Sequence, residues 1–254
     1  RLLDEVARLH RSTPMVGQRT RLFSKDGSDV LGRLQASVGG VDIKQIQVGL
    51  QDLLGIQKQK IAGEITYRKI DGETIYTVRL RRLPSNEILL NVQGGDDPDA
   101  LLKKAAMAMI EALAPYNAAS IYWYGGDEFN AQRMITKVLL GDHQADAGSA
   151  LALRMLINIG QKKYPEVRSD FERGMVIAPN NLQINALGAR MYGETGEYDK
   201  ALAQADATIA LAPKRDNGYY QKAQILRRMK KYDEAFAMFQ KAIEMKPSSP
   251  VIYL

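Results

Sequence analysis

The sequence predicts two architectures in succession: an α+β N-terminal domain, a helix plus a three-stranded meander, and then an all-α helical-repeat solenoid. Three observations carry that expectation. Three runs in the first half alternate apolar and polar residues, a helix-start signal and an alanine-rich helical stretch follow them, and the C-terminal part repeats itself at a fixed period.

Breaks at Gly39-Gly40, Asp71-Gly72 and Gly94-Gly95 punctuate the first half, and between them stand "KIAGEITYRKI", "ETIYTVRLRR" and "NEILLNVQG". Each run is rich in residues that suit a pleated, half-buried surface, so each predicts a strand. Ahead of them, Ile43, Ile46, Leu50, Leu53 and Leu54 stand at helical spacing and predict a helix over 41–54 that packs on the sheet. After them, "DDPDALLKKAAMAMIEALAPY" begins with Asp97 as an N-cap and Pro98 at the first helical position, and stops near Pro115. The expected organisation is a small α+β domain over 1–96, connecting helices over 97–147 that could form a degenerate helical hairpin, and repeats over 148–254.

Writing the last part in register places "KKYPEVRSDFERGMVIAPNN", "GEYDKALAQADATIALAPKR" and "KKYDEAFAMFQKAIEMKPSS" under one another. Tyr164, Tyr198 and Tyr232 are 34 residues apart, as are Pro179, Pro213 and Pro247. Tyr232, Ala235, Phe236, Phe239, Ala242 and Ile243 form one helical stripe, and the proline ends each second helix because it has no amide hydrogen to continue the ladder. This region resembles the tetratricopeptide repeat family in period and punctuation. The resemblance implies units at 148–181, 182–215 and 216–249, with a further repeat starting at 250–254 and more to follow. The second and third units carry Gly188, Ala189 and Tyr192, and Tyr219, Ala223 and Leu226, at the family's packing positions. The first departs from it, with Val167 in the small-alanine column and Met155 where glycine or alanine is usual, as a cap or degenerate repeat would.

Composition narrows the chemistry. The chain has 254 residues, 45% hydrophobic and 25% charged, which is ordinary globular material, and its net charge of +6 is spread out, which argues against nucleic acid. No run has the roughly 18 uncharged apolar residues of a membrane span. No cysteine is present, so disulfides, thiolate metal sites and thiol nucleophiles are excluded. "GGDEF" at Gly125 to Phe129 is the signature loop of diguanylate cyclases, yet the metal-holding strand and nucleotide pocket of that family do not precede it. Helical stretches flank it instead, so two glycines making a turn and Asp127 capping the next helix account for the letters. His10 and His143 are far apart and form no pair with a nucleophile or metal, and Asp96, Asp97 and Asp99 suit a helix start better than an ion. "GGVDIKQIQVG" lacks the spacing of a phosphate-cradling loop. No catalytic constellation, metal site or cofactor is expected, and so no enzyme.

A binding surface remains. In a repeat stack the first helices of successive units line a concave groove. The family's geometry implies that Gln183, Arg190, Asn217, Tyr220, Gln221, Gln224, Arg227 and Arg228 face it. Three arginines, glutamines and a tyrosine favour a protein or peptide partner that is acidic or carboxylate-bearing. The lysine and asparagine clamp of chaperone-binding members is not reproduced, since Ala152, Leu156 and Leu187 stand at corresponding positions, while Leu153, Leu156 and Ile157 form an apolar patch expected to be buried. The leading expectation is a noncatalytic adaptor or scaffold. The alternatives are a structural, self-associating repeat protein and a part of a cyclic-dinucleotide signalling protein. The chain opens on Arg1 and ends in mid-pattern, as an excised piece would. The strand and Pro-Asp-Ala-Leu-Leu helix ahead of the repeats resemble a segment of some bacterial membrane-anchored tetratricopeptide proteins. That implies anchoring through a segment outside this chain, with the cytoplasm as the alternative.

Overall fold

The computed structural model describes residues 48–49, 60–70, 73–95, 97–141 and 144–245. The expectations at Gly39-Gly40, Asp71-Gly72, His10, His143, Asp96 and 250–254 lie outside the described residues, as does most of the helix expected over 41–54. The chain divides into two compact units, 1–134 and 135–254, with the boundary inside one helix.

In the first unit, the three expected strands form: β2 (Lys60–Ile70), β3 (Glu73–Leu83) and β4 (Glu87–Gly94), with the two-residue β1 (Val48–Gly49) ahead of them. All neighbours are antiparallel, in the order β1-β2-β3-β4. The reading of 41–54 as one helix is therefore corrected: Val48 pairs with Ile61 and Gly49 with Lys60. The sequence there also alternates, through Ile46, Val48 and Leu50, and a short apolar run satisfies both periods. Pairing with the open edge of β2 satisfies backbone groups that would otherwise stay exposed, and it decides between them.

Side-chain alternation puts Val78 and Leu80 of β3 on the same face as their partners Val92 and Leu90 of β4, and all four are buried. Among the described residues, a helix packs on the sheet after the strands. It is α1 (Pro98–Leu113), which packs along β4 and reaches β3, with Leu101, Ala105, Met109 and Ile110 buried. Asp97 starts it as expected, its carboxylate accepting from the amides of Asp99 and Ala100 at 3.0 Å each. The other face is polar, where Glu64 meets Arg79 at 3.0 Å and Arg81 at 3.5 Å.

Helix α2 (Pro115–Tyr124) ends at the Gly-Gly-Asp turn and α3 (Glu128–Leu140) follows. Gly126 is left-handed at φ 82°, its amide donates to the Trp123 carbonyl at 3.0 Å, and the amide of Asp127 donates to the Tyr122 carbonyl at 2.8 Å. That is a Schellman motif, in which glycine supplies the positive φ and two orphan carbonyls are satisfied. Asp127 then turns round to cap α3, accepting from the Asn130 amide at 3.0 Å and the Asn130 side chain at 2.7 Å. Those hydrogen bonds hold its carboxyl below the usual range. The five letters are a helix stop followed by a helix start.

Among its described residues the second unit holds three helical hairpins: α4 (Ala147–Gly160) with α5 (Tyr164–Ile177), α6 (Leu182–Thr195) with α7 (Tyr198–Leu211), and α8 (Asp216–Arg228) with α9 (Tyr232–Met245). Helix α6 packs on α4 and α8 on α6, so the first helices lie side by side. The turn inside each hairpin passes through one left-handed residue, Lys162, Gly196 and Lys230, at the 34-residue spacing of the repeat. The first unit is thus a full hairpin despite Met155 and Val167, both of which are fully buried. Its small-residue requirement has moved: a Cβ on Gly188 would stand 2.3 Å from the Phe171 ring, so a glycine in the second unit receives the large side chain of the first. Phe171 then meets Tyr192 edge to face at 5.6 Å. The expected burial of Leu153 and Ile157 holds, while Leu156 is half-buried.

Candidate binding groove

Side-by-side first helices create the site, because α6 and α8 each turn one face to the same side. Between them lies a cavity of about 270 Å³, lined by Arg190, Gly193 and Glu194 of α6 and by Tyr220, Gln221, Gln224, Ile225 and Arg228 of α8. Five of the eight expected groove residues line it: Arg190, Tyr220, Gln221, Gln224 and Arg228. Gln183, Asn217 and Arg227 do not. Gln183 lies at the start of α6, where its amide donates to the Asn181 cap at 3.0 Å, about 10 Å along the helix from Arg190. Asn217 is the second residue of α8, and Arg227 is exposed on the last turn.

The walls are held by polar contacts between side chains. Gln224 donates to the Tyr220 hydroxyl at 2.8 Å, and the Tyr220 ring is braced edge to face by Phe239 of α9 at 5.9 Å. Arg190 donates through Nε to Glu194 at 2.9 Å, and Arg228 stands 3.7 Å from the same carboxylate oxygen. The second oxygen of Glu194 accepts from the Tyr164 hydroxyl at 2.9 Å. Burial, then the hydrogen bond to Glu194, raise the Tyr164 pKa above its ordinary value.

Sequence reasoning selected cations and amides and passed over Glu194. Two signals mark it: it stands four residues after Arg190 on one helix face, and it holds the same repeat position as Arg228, 34 residues earlier. Tyr164 was legible as a repeat marker only; its reach to Glu194 in the next unit needed the packing of α5 beside α6.

The model of the tetratricopeptide repeat family matches residues 217–249, which span α8 and α9. Residues 217–249 are a tetratricopeptide repeat. Among solved structures, the first tetratricopeptide domain of human RPAP3 is 19% identical, over 42% of this chain and 84% of that one, with a TM-score of 0.40. The first tetratricopeptide domain of Spaghetti (RPAP3), bound to an HSP90 peptide, is 19% identical over 41% of this chain and 83% of that one, with a TM-score of 0.38. A fragment of MamA from Desulfovibrio magneticus RS-1 is 17% identical over 54% and 77%, with a TM-score of 0.44. No curated protein matches the chain. The repeats support a protein–protein interaction role, and no described helix is long and apolar enough to cross a membrane.

Proposed function

We propose that this chain is a noncatalytic adaptor or scaffold whose tetratricopeptide groove takes a carboxylate-bearing segment of a partner protein. The observation that carries the reading is the convergence of Arg190, Tyr220, Gln221, Gln224 and Arg228 on one cavity between α6 and α8. Guanidiniums bind carboxylates through charge-assisted, often bidentate hydrogen bonds. A braced tyrosine ring adds contact area at little entropic cost, and the two glutamines offer both donors and acceptors to a peptide backbone. Arg190 and Arg228 outnumber Glu194, so the cavity favours an anionic group.

The test is selection from a displayed library of random dodecapeptides, run on the chain and on a Tyr220→Ala, Arg228→Gln variant that circular dichroism shows to be folded. Enrichment of Asp- or Glu-bearing peptides by the chain, lost in the variant, is the expected result. Enrichment of nothing, or of the same peptides by both, overturns the reading.

A further inference from the structure

Resting on that reading of the groove, we infer that Glu194 determines its specificity. It is a fixed carboxylate between Arg190 and Arg228 that leaves the cavity one net positive charge, admitting a single carboxylate and limiting any preference for an acidic run.

The argument begins with why Glu194 is fixed. Its side chain is 15% exposed, against 41% for Arg190 and 45% for Arg228, so it forms the floor of the cavity and they form its rim. One oxygen is held by the Tyr164 hydroxyl from the neighbouring repeat and the other by Arg190. A ligand carboxylate that displaced it would leave a buried acceptor and the Tyr164 donor without their partners, so the ligand binds beside Glu194.

Two consequences oppose each other. Glu194 aims the guanidiniums and relieves their mutual repulsion in the empty groove, which helps binding. It also repels an incoming carboxylate. Glutamine has nearly the same shape and keeps an acceptor for Arg190, so replacing Glu194 forfeits about a factor of three in positioning. Removing a unit charge roughly 6 Å from a ligand carboxylate at a half-exposed site gains about a factor of ten. The charge effect wins, and it grows with each further acidic group.

The experiment uses three fluorescein-labelled dodecapeptides: Gly, Ser and Gln with one central Glu, the same frame with four consecutive Glu, and the frame with none. Anisotropy titrations are run at low and moderate salt on the chain, Glu194→Gln, Arg228→Gln, the double variant and Tyr220→Ala. The chain is expected to bind the one-Glu and four-Glu peptides within about threefold of each other. Glu194→Gln should favour the four-Glu peptide by about tenfold more, with a steeper salt dependence. The double variant restores one net charge and should return the ratio to that of the chain, an effect that a merely structural role for Glu194 would not produce. An unchanged or reduced ratio in Glu194→Gln overturns the inference, and so does failure of both proteins to bind any Glu-bearing peptide. The groove reading itself fails if the chain binds no Glu-bearing peptide, binds the Glu-free peptide as tightly as the one-Glu peptide, or binds equally well with Tyr220→Ala. A loss of fold in Glu194→Gln would itself count against a specificity role, with Arg228→Gln then predicted to lower the four-Glu to one-Glu ratio.

Discussion

Glu197 shows how much one surface residue can be tied to its repeat neighbours. It starts α7, and its carboxylate receives Lys200 at 2.8 Å and Arg168 from the preceding repeat, while both cations also stand over the Tyr192 ring at 5.5 and 5.1 Å. The hydrogen bonds from Lys200 and then Arg168 lower its pKa from 4.5 to about 2. The sign follows from linkage: a carboxyl whose folded pKa is depressed adds stability that is complete above pH 4.5 and disappears as pH falls toward 2. Glu197→Gln is therefore expected to be less stable than the parent near neutrality, with the gap closing between about pH 4.5 and pH 2, as read from urea midpoints at a series of pH values. A gap that stays constant across that window would show that the carboxylate charge is not what the cluster uses. The cluster is partly exposed, so added salt should narrow the gap. The Arg168 contact was not legible in the sequence, because Arg168 and Glu197 are 29 residues apart and meet only when α5 lies beside the next hairpin.

Elements were the most legible scale. The strands were readable because alternation and turn residues agreed, and Asp97 because an N-cap, a proline and an apolar helix stood in sequence order. Residues 41–54 misled, since their spacing fits two periods and only the partner strand separates them. The interhelical turns were half legible: Gly196 announces a left-handed residue, whereas Lys162 and Lys230 occupy the same conformation with side chains that resist it. A non-glycine residue there costs about 1 kcal/mol, of which glycine returns part by loosening the unfolded chain. Lys230→Gly is thus expected to stabilise the repeats by about 0.5 kcal/mol and raise the melting temperature by about 2 °C. A lower melting temperature by calorimetry would mean that the lysine side chain outweighs the strain of its backbone.

On the scale of the whole molecule, the repeats make a chain of interfaces whose strength is uneven. Residues from all three hairpins share one core, running from Ala152 and Met155 through Phe171, Ile184 and Tyr192 to Ile225. That cluster stops short of α9, where Ala235 and Ala242 are buried and Tyr232 and Phe236 are each 64% exposed. Helix α4, by contrast, buries almost every apolar residue it has. Opening free energy follows buried apolar contact, and in a repeat array each unit leans only on its neighbours. Amide exchange is therefore expected to be graded, with α9 exchanging at least about tenfold faster than α4 and α6 under native conditions. Uniform protection across all three hairpins would instead make them a single cooperative block. The gradient bears on the groove, because α9 supplies the Phe239 ring that braces Tyr220. If α9 opens first, the cavity wall loosens while α6 keeps Arg190 and Glu194 in place, and a bound peptide should slow exchange in α9 more than in α4. Measuring protection with and without a selected peptide separates that coupling from simple coverage, since α9 itself lines no part of the cavity.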